Sequence, residues 1–105
     1  MSEAANISHT SALILKTIHA GSLFGFDIME KTGLPSGTIY PALRRLEENT
    51  YIRGTWENTK AALSDNRPRR RYYRLTRQGK DALSQAHRRY PLLAHLMPAG
   101  PVAGD

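Results

Sequence analysis

The sequence predicts a small, mostly α-helical fold that carries one β-hairpin, in the order α-α-α-β-β-α. Apolar residues recur at helical spacing in three short segments before residue 50, and period-two alternation replaces that pattern in two stretches between residues 51 and 75. Helical spacing then returns after Thr76. With 105 residues and no cysteine, the chain reads as one domain, with neither disulfides nor thiolate-bound zinc to supplement a thin core. The longest aliphatic run, Ala12-Leu13-Ile14-Leu15, falls far short of the ~20 residues of a membrane span. A soluble, cytoplasmic protein with no membrane partner is therefore expected.

Each element has its own local reason. Residues 1–7 and 98–105 carry no periodic pattern and are expected to fray. From about Ser8 to Ala20, Leu13, Ile14, Leu15 and Ile18 form a helical apolar stripe that ends at Gly21. Ser22 offers a cap for a second, short helix in which Phe24 and Ile28 share a face and which Gly33 ends. Ser36 is the expected N-cap of a third helix running to about Asn49. Spacing residues at 100° puts Ile39, Leu43 and Leu46 inward and Gly37, Pro41, Arg44 and Glu48 outward, flanked by Thr38, Tyr40 and Arg45. Pro41 lacks the amide that would bond back to Gly37, so a distorted or tightened first turn is expected.

The alternation of Tyr51 to Glu57 sets Ile52 and Trp56 on one strand face, which places Trp56 in the expected core. A second strand, Arg70 to Leu75, follows the polar stretch 58–69 and turns Tyr73 and Leu75 inward, since the opposite register would bury Arg74. The two strands form a hairpin with a long basic tip. Thr76 caps a fourth helix with an apolar stripe of Leu83, Ala86 and Tyr90, and Pro91 interrupts it and starts a further turn to Met97.

Charge is concentrated where these elements meet. Residues 36–90 carry thirteen basic and five acidic residues, a net +8, between two ends of −1 each, for the overall +6. Arg67, Arg69, Arg70, Arg71, Arg74, Arg77 and Lys80 fall within fourteen residues that contain no acid. Such a one-sided field attracts polyanions. An enzyme is not expected: the four histidines contain no i+3 or i+4 pair, Glu47 and Glu48 diverge by about 100° on a helix, and the glycines are dispersed as caps and turns. No cofactor and no metal site is indicated.

Three helices followed by a basic hairpin is the order of a winged helix-turn-helix. The residues Gly25-Phe26-Asp27-Ile28, then Gly37-Thr38-Ile39-Tyr40-Pro41-Ala42-Leu43-Arg44-Arg45-Leu46-Glu47, then Arg67-Pro68-Arg69-Arg70-Arg71-Tyr72-Tyr73-Arg74-Leu75-Thr76 and Gly79 resemble the PadR family of bacterial transcriptional regulators. The likeness covers about residues 12 to 90 and is closest to the family's short-tailed members. Thr50 departs from it, because the family usually has glycine there.

The resemblance implies a sequence-specific DNA-binding regulator, a repressor often released by a small ligand or another signal. Nothing in the sequence identifies such an effector or a pocket for one. By the same resemblance the third helix enters the major groove of double-stranded DNA, bringing Ser36, Gly37, Thr38, Tyr40 and Arg44 to it, with Arg45 on the flank. Arg44 suits bidentate bonding to guanine. Arg67, Arg69, Arg70 and Arg71, in the wing at 57–71, would meet phosphates or the adjacent minor groove, with Arg69 and one of Arg70 or Arg71 favoured. A module of this size reads few base pairs, so a homodimer on a palindromic operator is expected, with Leu83, Tyr90, Leu92, Leu93 and Leu96 as candidate interface residues, together with helix one. The expected organisation is a flexible N-terminus (1–7), a winged helix-turn-helix (8–76), a helical dimerisation segment (77–97) and a disordered tail (98–105). The competing reading is a winged-helix module that docks its basic wing on an acidic protein.

Overall fold

The computed structural model describes residues 7–95. The tail at 98–105, Leu96 and residues 1–6 lie outside the described residues. The elements are α1 (His9–His19), α2 (Gly25–Thr32), α3 (Ser36–Glu48), β1 (Ile52–Trp56), α4 (Thr59–Ser64), β2 (Arg71–Leu75) and α5 (Arg77–Arg89), followed by a 3₁₀ turn at Pro91–His95. The chain is mostly helical with one two-stranded antiparallel hairpin.

The most enclosed element is α1. Ala12, Ile14, Leu15 and Ile18 are buried, as are Ser11 and Thr17, because α2, α3, β2 and α5 all pack against this helix. Thr17 tolerates burial by donating its hydroxyl to the Leu13 carbonyl at 2.7 Å. Ser8 is the N-cap and accepts from the Ser11 amide at 3.0 Å. Ile7, placed by the sequence in the frayed end, is buried, and its carbonyl accepts from the Tyr90 hydroxyl at 2.9 Å.

Two caps differ from expectation. Helix α2 begins after Phe24 rather than Ser22, because the preceding segment joins the sheet: the Tyr73 amide donates to the Leu23 carbonyl at 2.7 Å and Phe24 bridges Tyr72. Pro35, not Ser36, occupies the N-cap of α3, and its carbonyl accepts from both Thr38 and Ile39. That shared acceptor tightens the first turn, and the helix continues as α through Pro41. Ser36 becomes the first helical residue, exposed and with its hydroxyl free of capping duty.

The hairpin register pairs Ile52 with Leu75, Gly54 with Tyr73 and Trp56 with Arg71. Inside it lies an element that the sequence left as a polar tip: α4, capped by Asn58, whose side chain accepts from the Lys60 amide at 2.7 Å. Thr76 caps α5 through the Gly79 amide at 3.0 Å, as its sequence suggests. Gly79 is required by packing, since a Cβ there would overlap the Tyr51 carbonyl oxygen. The 3₁₀ turn after Pro91 folds Leu93 to full burial.

Candidate nucleic-acid interface

Helix α3 turns Ile39, Ala42, Leu43 and Leu46 into the core and leaves Ser36, Gly37, Tyr40, Pro41, Arg44 and Arg45 exposed, with Thr38 half-buried. The solvent face is unobstructed. A Cβ on Gly37 would meet nothing within 4 Å, so nothing inside the fold requires glycine there. Among the described residues neither Arg44 nor Arg45 takes part in an ion pair; the Arg44–Glu48 bridge that i,i+4 spacing permits is not formed. The Tyr40 ring lies against the start of α2, so close to Gly25 that a Cβ there would come within 2.5 Å.

The wing arginines divide into two sets. Arg67 is bound within the protein: its two terminal nitrogens donate to the Glu57 carboxylate at 2.6 and 2.7 Å, and one also reaches Asp65 at 3.1 Å. Arg71 donates to Glu47 of α3 at 2.5 Å, tying the wing to that helix. The second set faces outward. Arg69 is exposed, and its Nε donates to the Glu57 carbonyl at 3.0 Å. Arg70 is half-buried, with its guanidinium 4.1 Å from the Phe24 ring centroid.

Glu57 organises this arrangement. Its carboxylate also accepts from the Arg70 amide at 3.0 Å, and only 8% of the side chain is exposed. Hydrogen bonding from Arg67 outweighs the cost of burial and holds the carboxyl down at about 2. The same partnership raises Arg67, and Glu47 raises Arg71. These arginines stay cationic in every accessible condition.

Trp56 differs from its expected place. It lies on the Ile52 face of β1, yet it is 55% exposed. Four residues carry the strand about 13 Å, past the edge of the core, where its cross-strand partner is Arg71 instead of an apolar side chain. Arg69 and Arg71 each hold a guanidinium carbon 5.4 Å from its ring centroid. The hairpin register was the signal that could have revealed this. Of the residues set aside for dimerisation, Leu83 and Leu93 are buried in the protomer's own core, Tyr90 is half-buried, and Leu92 is 70% exposed.

An open helix face bearing arginine, beside a braced basic hairpin, defines a winged-helix DNA-binding domain. A model of the transcriptional regulator PadR-like family matches residues 14–85. The solved structures similar to this chain include a PadR family transcription regulator from hypervirulent Clostridium difficile R20291, at 26% identity and a TM-score of 0.70 over 85% of this chain and 94% of that one. A transcriptional regulator from Clostridium thermocellum is similar at 25% identity and a TM-score of 0.66, over 91% and 93% of the two chains. No curated protein matches the chain significantly. The chain belongs to the PadR-like family of transcriptional regulators. It is accordingly a DNA-binding regulator and not an enzyme. Among the described residues no helix is long and apolar enough to cross a membrane.

Proposed function

We propose that this regulator is a cytoplasmic repressor that binds a palindromic operator as a homodimer, with α3 in the major groove and the wing on the adjacent minor groove and backbone. The observation that carries the reading is the exposed Arg44, in no ion pair among the described residues, on a helix face where Gly37 leaves the backbone open to close approach. Arg44 reads guanine, and Ser36, Thr38 and Tyr40 bond phosphates beside the helix N-terminus. Arg45 lies on the far flank of the helix and contributes charge. In the wing, Arg69 and Arg70 meet the DNA, while Arg67 and Arg71 hold the hairpin in position through the carboxylates of Glu57 and Glu47.

Selection of bound duplexes from a random pool tests the reading as a whole. A recovered consensus made of two inverted half-sites about one helical turn apart is the expected outcome. A pool that shows no enrichment would leave the wing to an acidic protein partner instead. On the selected duplex, Arg44→Ala is expected to cost about 1–3 kcal/mol and to relax one position of each half-site. Arg69→Ala should weaken binding to all sequences alike and lower the slope of log affinity against log salt by about one. Titrations at several salt concentrations separate the two effects.

A further inference from the structure

A cleft of about 590 Å³ is lined by Phe24 and Phe26 at the start of α2, by Tyr40 of α3, and by Trp56 and the wing arginines. Among the described residues five large apolar side chains are exposed, and three of them, Phe26 (59%), Tyr40 (45%) and Trp56 (55%), line this one cleft. Exposed aromatic surface gathered in one place marks a contact site rather than a chance of folding.

We infer that the cleft seats the sugar–phosphate strand that separates the two grooves of bound duplex, with the Trp56 ring packed on deoxyribose and Arg69 and Arg70 on the flanking phosphates. The inference rests on the placement of α3 and wing proposed above. In B-form DNA a major groove and the next minor groove share one backbone strand, so a helix in the first and a hairpin in the second must straddle it. The lining suits that occupant. Flat aromatic faces cover the apolar side of a sugar, and among the described residues the terminal nitrogens of Arg69 and the guanidinium of Arg70 have no carboxylate partner. The Trp56 ring is already held in place by two guanidinium groups, so little order is lost when the strand arrives. Gly54 makes this possible, because a Cβ there would come within 2.6 Å of the Arg71 guanidinium that folds over the strand toward Glu47.

Trp56 is the sole tryptophan in the chain, so its emission reports on this cleft alone. The full-length protein is titrated with an end-labelled duplex from the selection, and binding is followed independently by anisotropy of the label. Saturating duplex is expected to lower acrylamide quenching of Trp56 at least about twofold. Trp56→Ala should weaken binding about tenfold without changing the salt slope, since a sugar contact releases no counterion, and Trp56→Phe should restore most of the affinity by keeping a flat ring. A duplex that binds by anisotropy while Trp56 stays equally open to acrylamide would overturn the inference and leave the placement of α3 intact. Wild-type affinity in Trp56→Ala, with its thermal unfolding unchanged, would do the same. If no duplex binds at all, the DNA reading and this inference fail together.

Discussion

Thr50 follows α3 at φ +64°, a left-handed conformation that a β-branched side chain adopts only under strain. The helix needs it. The Thr50 amide donates to the Glu47 carbonyl at 3.0 Å and the Tyr51 amide to Leu46 at 2.9 Å, which closes the helix and aims the chain into β1. Thr50 recovers part of the cost by donating its hydroxyl to Gln78 at 2.7 Å. Thr50→Gly relieves the strain and should raise stability by about 1 kcal/mol in denaturant unfolding. A stability equal to or below wild type would mean that the Gln78 bond outweighs the strain.

The wing is ordered by one carboxylate. Glu57 binds Arg67 and the Arg70 amide, and these contacts bring the two ends of the tip together across α4. A carboxyl whose folded value is depressed stabilises the fold at any pH above its unfolded value near 4.5, and the contribution is lost as pH falls toward about 2. Acidification through that window should release the wing before the core. Hydrogen exchange at the Arg70 amide measures the release directly, since that amide is bonded to the Glu57 carboxylate. In Glu57→Gln the amide should exchange fast even at neutral pH and the acid-dependent step should disappear. Equal protection in the variant would assign wing order to α4 and its Asn58 cap instead.

At the scale of the whole molecule, the core of a single protomer already takes up Leu83 and Leu93, which leaves Leu92 and part of Tyr90 as the described apolar surface at the C-terminal end. Helix α1 is enclosed by its own neighbours and has little face to offer a partner. Among the described residues, a dimer built there would rest on Leu92 and Tyr90. Sedimentation at tens of micromolar without DNA is expected to show a dimer that Leu92→Lys weakens, because a charge cannot be buried unpaired in such a contact. A wild-type monomer would remove the dimer proposal. The order of the first three helices, the two strands and the helix after them, the α3 register and the Thr76 cap were legible from residue order, because helical and strand periodicities and side-chain capping are local properties of neighbouring residues, whereas α4, folded from the polar tip between the strands, was not. The Phe24 start of α2 was not, since the sheet edge that claims Leu23 and Phe24 is about fifty residues away in sequence. The division of the wing arginines was equally hidden. Four closely spaced guanidinium groups look alike in sequence, and only the folded positions of Glu57 and Glu47 pair two of them and, among the described residues, leave two without a carboxylate. Trp56 makes the same distinction within one strand: alternation set its face, but where the core ends along that face is a property of three-dimensional packing, and it turned an expected core residue into an exposed aromatic platform.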